Sequence, residues 1–450
     1  MARTPTATPT LALSDVVWGE PYTRLFADLV LPTRLSPGNL GALQGRPGDR
    51  YTVYTTQDDQ AILRAAPCFP RLTELIDVRF HDIGPWMDPE RLRQDHNQRY
   101  ALLTRCHVHA VDDARRTDSA MVFLHPDAIW SDGTFARLLE LLRQGRRAVL
   151  QPGLRVAKET FGPAFQHALP ADDQGGVLAP PRELVRLAIP NLHRISRDSL
   201  WSADPMIDHP AHLYFAVQDQ GLVARCFHLH PLLIWPRHWQ HKIPTTIDGP
   251  FLRACCPDLQ DIHVIDDSDE SVVLEISGAG MTYPANIPTR RRLDAVAAWA
   301  ASSIDSHHRA YFQRTIRLHA EALGPDWTPI EQQAQRVARG VLSRLRWLPL
   351  AKARSRIHQV GLVRSLGVRT RLKHAAAATA QLVRGGGVRP HHLHHPRGPW
   401  QFARAKWWTV REQGALHVAR RLARILTRRR DAQHAPHRRD SAPARHPGSV

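Results

Sequence analysis

At 450 residues, with 43% hydrophobic and 23% charged side chains, the chain is too long for one ordinary domain and too apolar for a disordered protein. Its five cysteines are scattered, with no CxxC pair, which excludes a disulfide scaffold and a cysteine zinc site and suits a reducing compartment. The net charge of +18 is unevenly placed: Glu331 to Val450 holds 26 Lys/Arg against 4 Asp/Glu, whereas residues 1–330 hold 34 against 38. A mildly acidic body is thus joined to a basic appendage suited to a polyanionic surface.

Residues 1–12 are rich in Thr, Pro and Ala and are expected to be disordered. The stretch 14–44 reads as a short strand over Val16 to Gly19, then helical segments, with Ser36-Pro37 as a helix start. YTVYTT (51–56) is β-branched and aromatic, a strand that ends at Thr56 in the polar turn Gln57-Asp58-Asp59. AILRAAPCFPRLTEL (61–75) is helical with a proline break, and IDVRFHDIG (76–84) alternates as a strand does. Residues 88–114 form one long helix or two. MVFLHPD (121–127) is the next strand, DGTFARLLELLRQG (132–145) its helix, and RRAVLQPGLRV (146–156) another strand.

Strands alternating with helices through short connections predict a mostly parallel sheet flanked by helices, an α/β body over residues 13–325. In such sheets ligands sit outside the carboxyl ends of the strands. The corners Gln57-Asp58-Asp59 and His125-Pro126-Asp127 both fall at such ends.

Farther on, 182–201 reads as a helix interrupted near Pro190. Residues 212–236 have the look of a hairpin turning at Gln218 to Gly221. IHVIDDSDESVVLEIS (262–277) is strand-like around an acidic turn, and 290–323 is helical. Residues 326–430 are expected to form a basic, amphipathic, mainly helical appendage with a flexible linker, RGGGVRPHHLHHPRGP (384–399), and 431–450 reads as a disordered tail. No apolar run is long enough to span a bilayer, and the first residues lack the apolar core of an export signal. The expected location is cytoplasmic, with peripheral docking at the inner face of the plasma membrane.

The order of these pieces resembles a nucleotide-sugar glycosyltransferase of the GT-A fold, over roughly residues 14–280. In that family a hydrophobic strand runs into an Asp-x-Asp motif, or a relaxed form such as Asn-Pro-Asp, before a small-residue turn and a helix. VFLHPDAIWSDGTFARLL matches the relaxed form, with His125 in place of the first acid and Asp127 in place of the last. The family often adds a metal-binding histidine near its C-terminal side, for which His228 and His230 are candidates. The resemblance implies a nucleotide-sugar donor, a glycan or lipid-linked acceptor, and Mg²⁺ or Mn²⁺ held by Asp127, His125, His230 and His228. Lacking a full Asp-x-Asp, the motif leaves metal dependence open.

Chemistry supports these roles. A nucleotide diphosphate leaving group needs its charge neutralised, and a hard divalent cation does this through one or two carboxylates and the phosphates. Pro126 and Asp127 equally suit a simple strand-to-loop turn. Spaced i, i+2 on a strand, His228 and His230 would share a face. Trp18, Gly19, Thr56, Asp58, Asp59 and His125 are candidates for holding the nucleotide, Gly19 because its backbone can approach a ligand closely. Asp208 and Asp204 are candidate bases for the acceptor hydroxyl, or turn caps. Asp266 to Glu270 reads as a solvated turn. A second reading is a non-catalytic scaffold with a degenerate nucleotide-sugar fold that binds membrane or nucleic acid. The appendage's Trp347, Trp400, Trp407 and Trp408 are too sparse for a nucleic-acid stacking platform, so an anionic membrane is the expected partner.

Overall fold

A computed structural model describes residues 8–345 apart from 89, 91, 93–95, 240–242 and 244–246. The expected linker at 384–399, the tail at 431–450 and most of the basic appendage lie outside the described residues. In chain order the strands are β1 (Leu11–Val16), β2 (Arg50–Thr55), β3 (Asp77–Asp82), β4 (Ala120–Phe123), β5 (Ala128–Trp130), β6 (Ala148–Gln151), β7 (Leu154–Ala157), β8 (Met206–Ile207), β9 (His212–Val217), β10 (Gly221–Cys226), β11 (His230–Ile234), β12 (Ile262–Val264), β13 (Val273–Ser277), β14 (Ala285–Ile287) and β15 (Ile316–His319).

The central sheet has seven strands in the order β12-β6-β11-β4-β1-β2-β3. Its β1, β2, β3 and β4 are mutually parallel, and β12 is parallel to β6. Only β11 runs against its neighbours β4 and β6, so the sheet is mixed. The interior strands β1, β4 and β6 are buried along their whole length. Two three-stranded sheets flank it, β15-β10-β9 and β5-β13-β7. The main core lies on the central sheet, and a second cluster packs β9 and β10 under the helix Arg292–Ser303 and a helix over 327–345. That last helix carries the start of the basic segment, yet Trp327, Ala334, Val337, Ala338, Val341 and Leu345 on its inner side are all buried. Burying each of its larger apolar side chains contributes about 1.5–3 kcal/mol.

Several elements differ from the sequence reading, and Ser36-Pro37 lies in a turn after the helix Leu31–Arg34 rather than starting one. The first strand spans Leu11–Val16 rather than residues 16–19, and all six of its residues are buried. Ser14 and Asp15 look out of place in a buried strand, but Asp15 is paired internally with Arg34. The strand expected over 146–156 breaks at Pro152-Gly153 into β6 and β7, which belong to different sheets. The helix expected over 290–323 is two, Arg292–Ser303 and Ser306–Phe312, and Ile316–His319 forms β15 instead. Its alternating Ile316 and Leu318 are buried, and the strand pairs antiparallel with β10.

Candidate functional site at the carboxyl edge of the sheet

The chain runs β1, β2, β3 outward in one direction and then returns to place β4 on the other side of β1. This reversal makes the carboxyl ends of β1 and β4 a topological switch point, where open α/β sheets bind ligands. His125, Pro126 and Asp127 lie just beyond β4 at that point. Because β11 is antiparallel, its amino end reaches the same edge, and His230 there pairs with Gln151 of β6. A register shift between Pro231 and Leu233 accommodates the proline, which has no N–H to donate.

A buried network holds the corner from below. Arg34 donates to the carboxylate of Asp15 on β1 and to the hydroxyl of Tyr51 on β2, and Tyr51 donates to the same carboxylate. Its other terminal nitrogen donates to the His125 carbonyl at 2.5 Å. Burial, the largest single influence, would lower the Arg34 pKa, but Asp15 and Tyr51 together outweigh it and the group stays charged. The Ile276 N–H fixes the Asp127 carbonyl at 2.7 Å. Hydrogen bonds to the main chain from the Arg34 side chain and the Ile276 N–H thus set the path of residues 125–127.

Above this backbone two side-chain groups form. The His125 and His230 rings meet edge to face with centroids 4.1 Å apart. His107, on the helix His96–Arg116, packs edge-on to Phe123 at 5.4 Å. Burial, reinforced by His125 and His230, pushes His107 down to about 3, so it is neutral at pH 7. The second group is acidic. Glu275 on β13 pairs with Arg155 on β7 at 2.5 Å. Burial works against the Glu275 carboxylate, but Arg155, then His125, His230 and His212, hold it below its usual range. Asp127 goes the other way. Burial first, then the neighbouring Glu275, raise its carboxyl to about 6 against the pull of Arg155. Two adjacent carboxylates with separated proton affinities are an acid–base arrangement. A side chain at Gly153 would overlap the Glu275 carboxylate, which would have to shift to admit it.

The structure does not gather all the expected residues. Thr56 caps the helix Gln57–Arg64, its hydroxyl accepting from the Asp59 N–H at 3.2 Å. Asp59 is buried and accepts from Thr56 Oγ1, Thr23 Oγ1 and the Gly19 N–H at 2.7–2.9 Å. These bonds make Asp59 a brace that closes the β1 end on β2, while Asp58 beside it is exposed. Gly19, with φ 85°, begins the helix Glu20–Leu25 in a conformation that side chains disfavour. Trp18 is half-buried against the cluster around Tyr54 and Ile83. His228 lies in the connection before β11, so it shares no strand face with His230; its ring stacks on His308 at 4.3 Å. Asp204 accepts from the Thr289 N–H at 3.3 Å, and Asp208 from Asn286 at 3.5 Å, contacts made toward β14.

Among the described residues, one group brings three metal-ligating atoms within 4.8 Å of one another: Asp267, Asp269 and His319. Asp127, His125, His228 and His230 do not converge in that way. The corner's own side chains therefore do not fit a preformed three-ligand cation site.

No family model and no curated protein match the chain. Among solved structures it is similar to mouse xyloside xylosyltransferase 1 in its apo form, with 14% identity and a TM-score of 0.21 over 36% of this chain and 58% of that one. It is also similar to S. aureus TarS, with 8% identity and a TM-score of 0.25 over 68% of this chain and 42% of that one. The chain spans less than two thirds of either neighbour's length. Likeness at this level carries no argument about activity.

Glu275, Arg155, His107 and His212 join the site without a local sequence signal. Glu275 is one acid in an apolar strand, and only the pairing of β13 with β5 and β7 brings it to Asp127 and Arg155. His212 is pushed down to about 4, chiefly by burial, and its Nε2 lies 2.9 Å from the His228 carbonyl. The Thr56 cap did have a signal: Thr-x-x-Asp before an amphipathic run is a helix-start pattern.

Proposed function

We propose that the chain is a glycosyltransferase of the GT-A type, receiving a nucleotide-sugar diphosphate at the carboxyl ends of β1 and β4. The observation that supports this most is the coincidence of three features at one point. The switch point, the VFLHPD motif and a carboxyl held at about 6 all meet at Asp127. In this reading Asp127 is the proton acceptor, since a base with affinity near the working pH is the most effective. The acceptor hydroxyl loses its proton to Asp127 as its oxygen bonds to the anomeric carbon. The bond from that carbon to the diphosphate breaks, and the leaving oxygen takes the electron pair. In this reading burial and Glu275 keep Asp127 basic, Arg155 fixes Glu275, and His125 and His230 are assigned to the phosphates. The acceptor is a glycan or a lipid-linked sugar, and the basic residues of 331–450 hold the enzyme at an anionic membrane surface.

A panel of nucleotide sugars, titrated calorimetrically with and without Mn²⁺, tests this. At least one donor should bind, and Asp127→Asn should keep that binding while transfer falls at least 100-fold. A folded Asp127→Ala or Asp127→Asn protein with normal turnover would remove Asp127 from the chemistry. The alternative is a non-catalytic scaffold with a degenerate nucleotide-sugar fold. Donor binding without transfer to any acceptor would support that reading.

A further inference from the structure

We propose that Asp267, Asp269 and His319 form a divalent-cation site that ties the loop between β12 and β13 to the edge strand β15. The site is separate from the corner. β12 lies three strand spacings from β4 in the central sheet, about 14 Å at the usual inter-strand distance. The inference does not depend on glycosyl transfer.

The geometry of His319 carries it. The residue is 2% exposed at the end of β15. Its Nδ1 lies 2.6 Å from the Glu321 carbonyl. A carbonyl only accepts, so Nδ1 bears a hydrogen. Its Nε2 lies 2.9 Å from Asp267 Oδ1 and 4.0 Å from Asp269 Oδ1. Ionised carboxylates also only accept. A buried ring nitrogen therefore points into a space lined by acceptors, where either a proton or a metal ion must sit. Donation of the far ring N–H to a backbone carbonyl is how metal-bound histidines are fixed in tautomer and orientation.

In the structure His319 Nε2 is within hydrogen-bonding distance of Asp267, and the remaining contacts are compatible with coordination. Arg182 donates to both Asp269 oxygens at 2.8 and 2.7 Å, and the Asp269 N–H donates to Asp267 Oδ1 at 2.9 Å. Each carboxylate oxygen has a second lone pair, so these donors can stay as an outer layer around the ion. One imidazole with two carboxylates suits Mn²⁺ or Zn²⁺ better than the all-oxygen preference of Mg²⁺ or Ca²⁺. When the ion enters, it takes the place of any proton on Nε2, which leaves to solvent.

The test uses the full chain stripped with EDTA and titrated with Mn²⁺, free ion being followed by electron paramagnetic resonance. A competition titration with Zn²⁺ and a coloured chelator repeats the count. Asp267→Asn and His319→Gln should each remove one tight equivalent, or weaken it at least tenfold, relative to the wild type. The histidines at 391–395 contribute equally to all the proteins and cancel. Asp127→Asn should retain the equivalent, which separates this site from the corner. Asp267→Asn is a surface change that keeps the test valid if His319→Gln misfolds. Unchanged stoichiometry and affinity in Asp267→Asn, or wild-type binding that never saturates, would overturn the proposal.

Discussion

Replacing Asp127 by Asn should stabilise the protein at alkaline pH and leave it unchanged in acid. The native carboxyl is raised from 3.8 to about 6. A raised acid binds its proton more tightly in the folded chain than in the unfolded one, so ionisation costs folding free energy. The cost is absent below the unfolded pKa, grows between about pH 4 and 6, and is fully present above that. Each tenfold gain in proton affinity is worth about 1.4 kcal/mol, which sets an upper value of about 3 kcal/mol. Partial solvent contact of the half-buried side chain trims this to about 2 kcal/mol. Asn is nearly isosteric and carries no charge, so it should recover that amount at pH 8 and nothing at pH 4. Urea denaturation of both proteins at pH 4, 5, 6, 7 and 8 measures the difference directly, because all other titrating groups are shared. A difference that is flat with pH, or that favours the wild type in alkali, would show that Asp127 is not held in this state.

Gly153→Ala should push the Glu275 carboxylate away from Arg155, costing about 1–3 kcal/mol by overpacking. It should also move the pH midpoint of the Asp127→Asn stability difference downward, as the same denaturation series can show. For the basic appendage, liposome flotation at low salt should carry the full chain with anionic but not neutral vesicles, and less so at high salt. Full-length protein that ignores anionic vesicles yet shifts nucleic acid would reverse that expectation.

The succession of central strands is legible because each is a short β-branched or apolar run closed by Gly, Pro or Asp. YTVYTT and IDVRFHDIG fall within a residue or two of β2 and β3. The hairpin of β9 and β10 is legible as well, its turn carried by Gln218 at φ 47°. What escapes depends on distant pairing. Nothing local shows that RRAVLQPGLRV divides between two sheets, and the alternation in TIRLHA is too short to mark a strand until β10 supplies its ladder. The site divides in the same way. Asp127 and His125 are visible as a polar corner after an apolar strand, whereas Glu275 and Arg155 become its neighbours only through β13 and β7. Two-residue spacing implies one shared face for His228 and His230, but β11 begins only at His230.

The buried contact from Arg34 to the His125 carbonyl has a consequence for how this site can diverge. The anchor grips main chain, and it does so whatever side chain residue 125 bears. Substitutions at His125 can therefore change what the corner recognises without moving the peptide that presents it. Arg34, Asp15 and Tyr51 have no such latitude, since replacing any one of them leaves a charge or hydroxyl stranded in the core. Variation among related chains, or in a laboratory library, should accumulate at 125 and spare 15, 34 and 51, so that new ligand preference is acquired on an unaltered support.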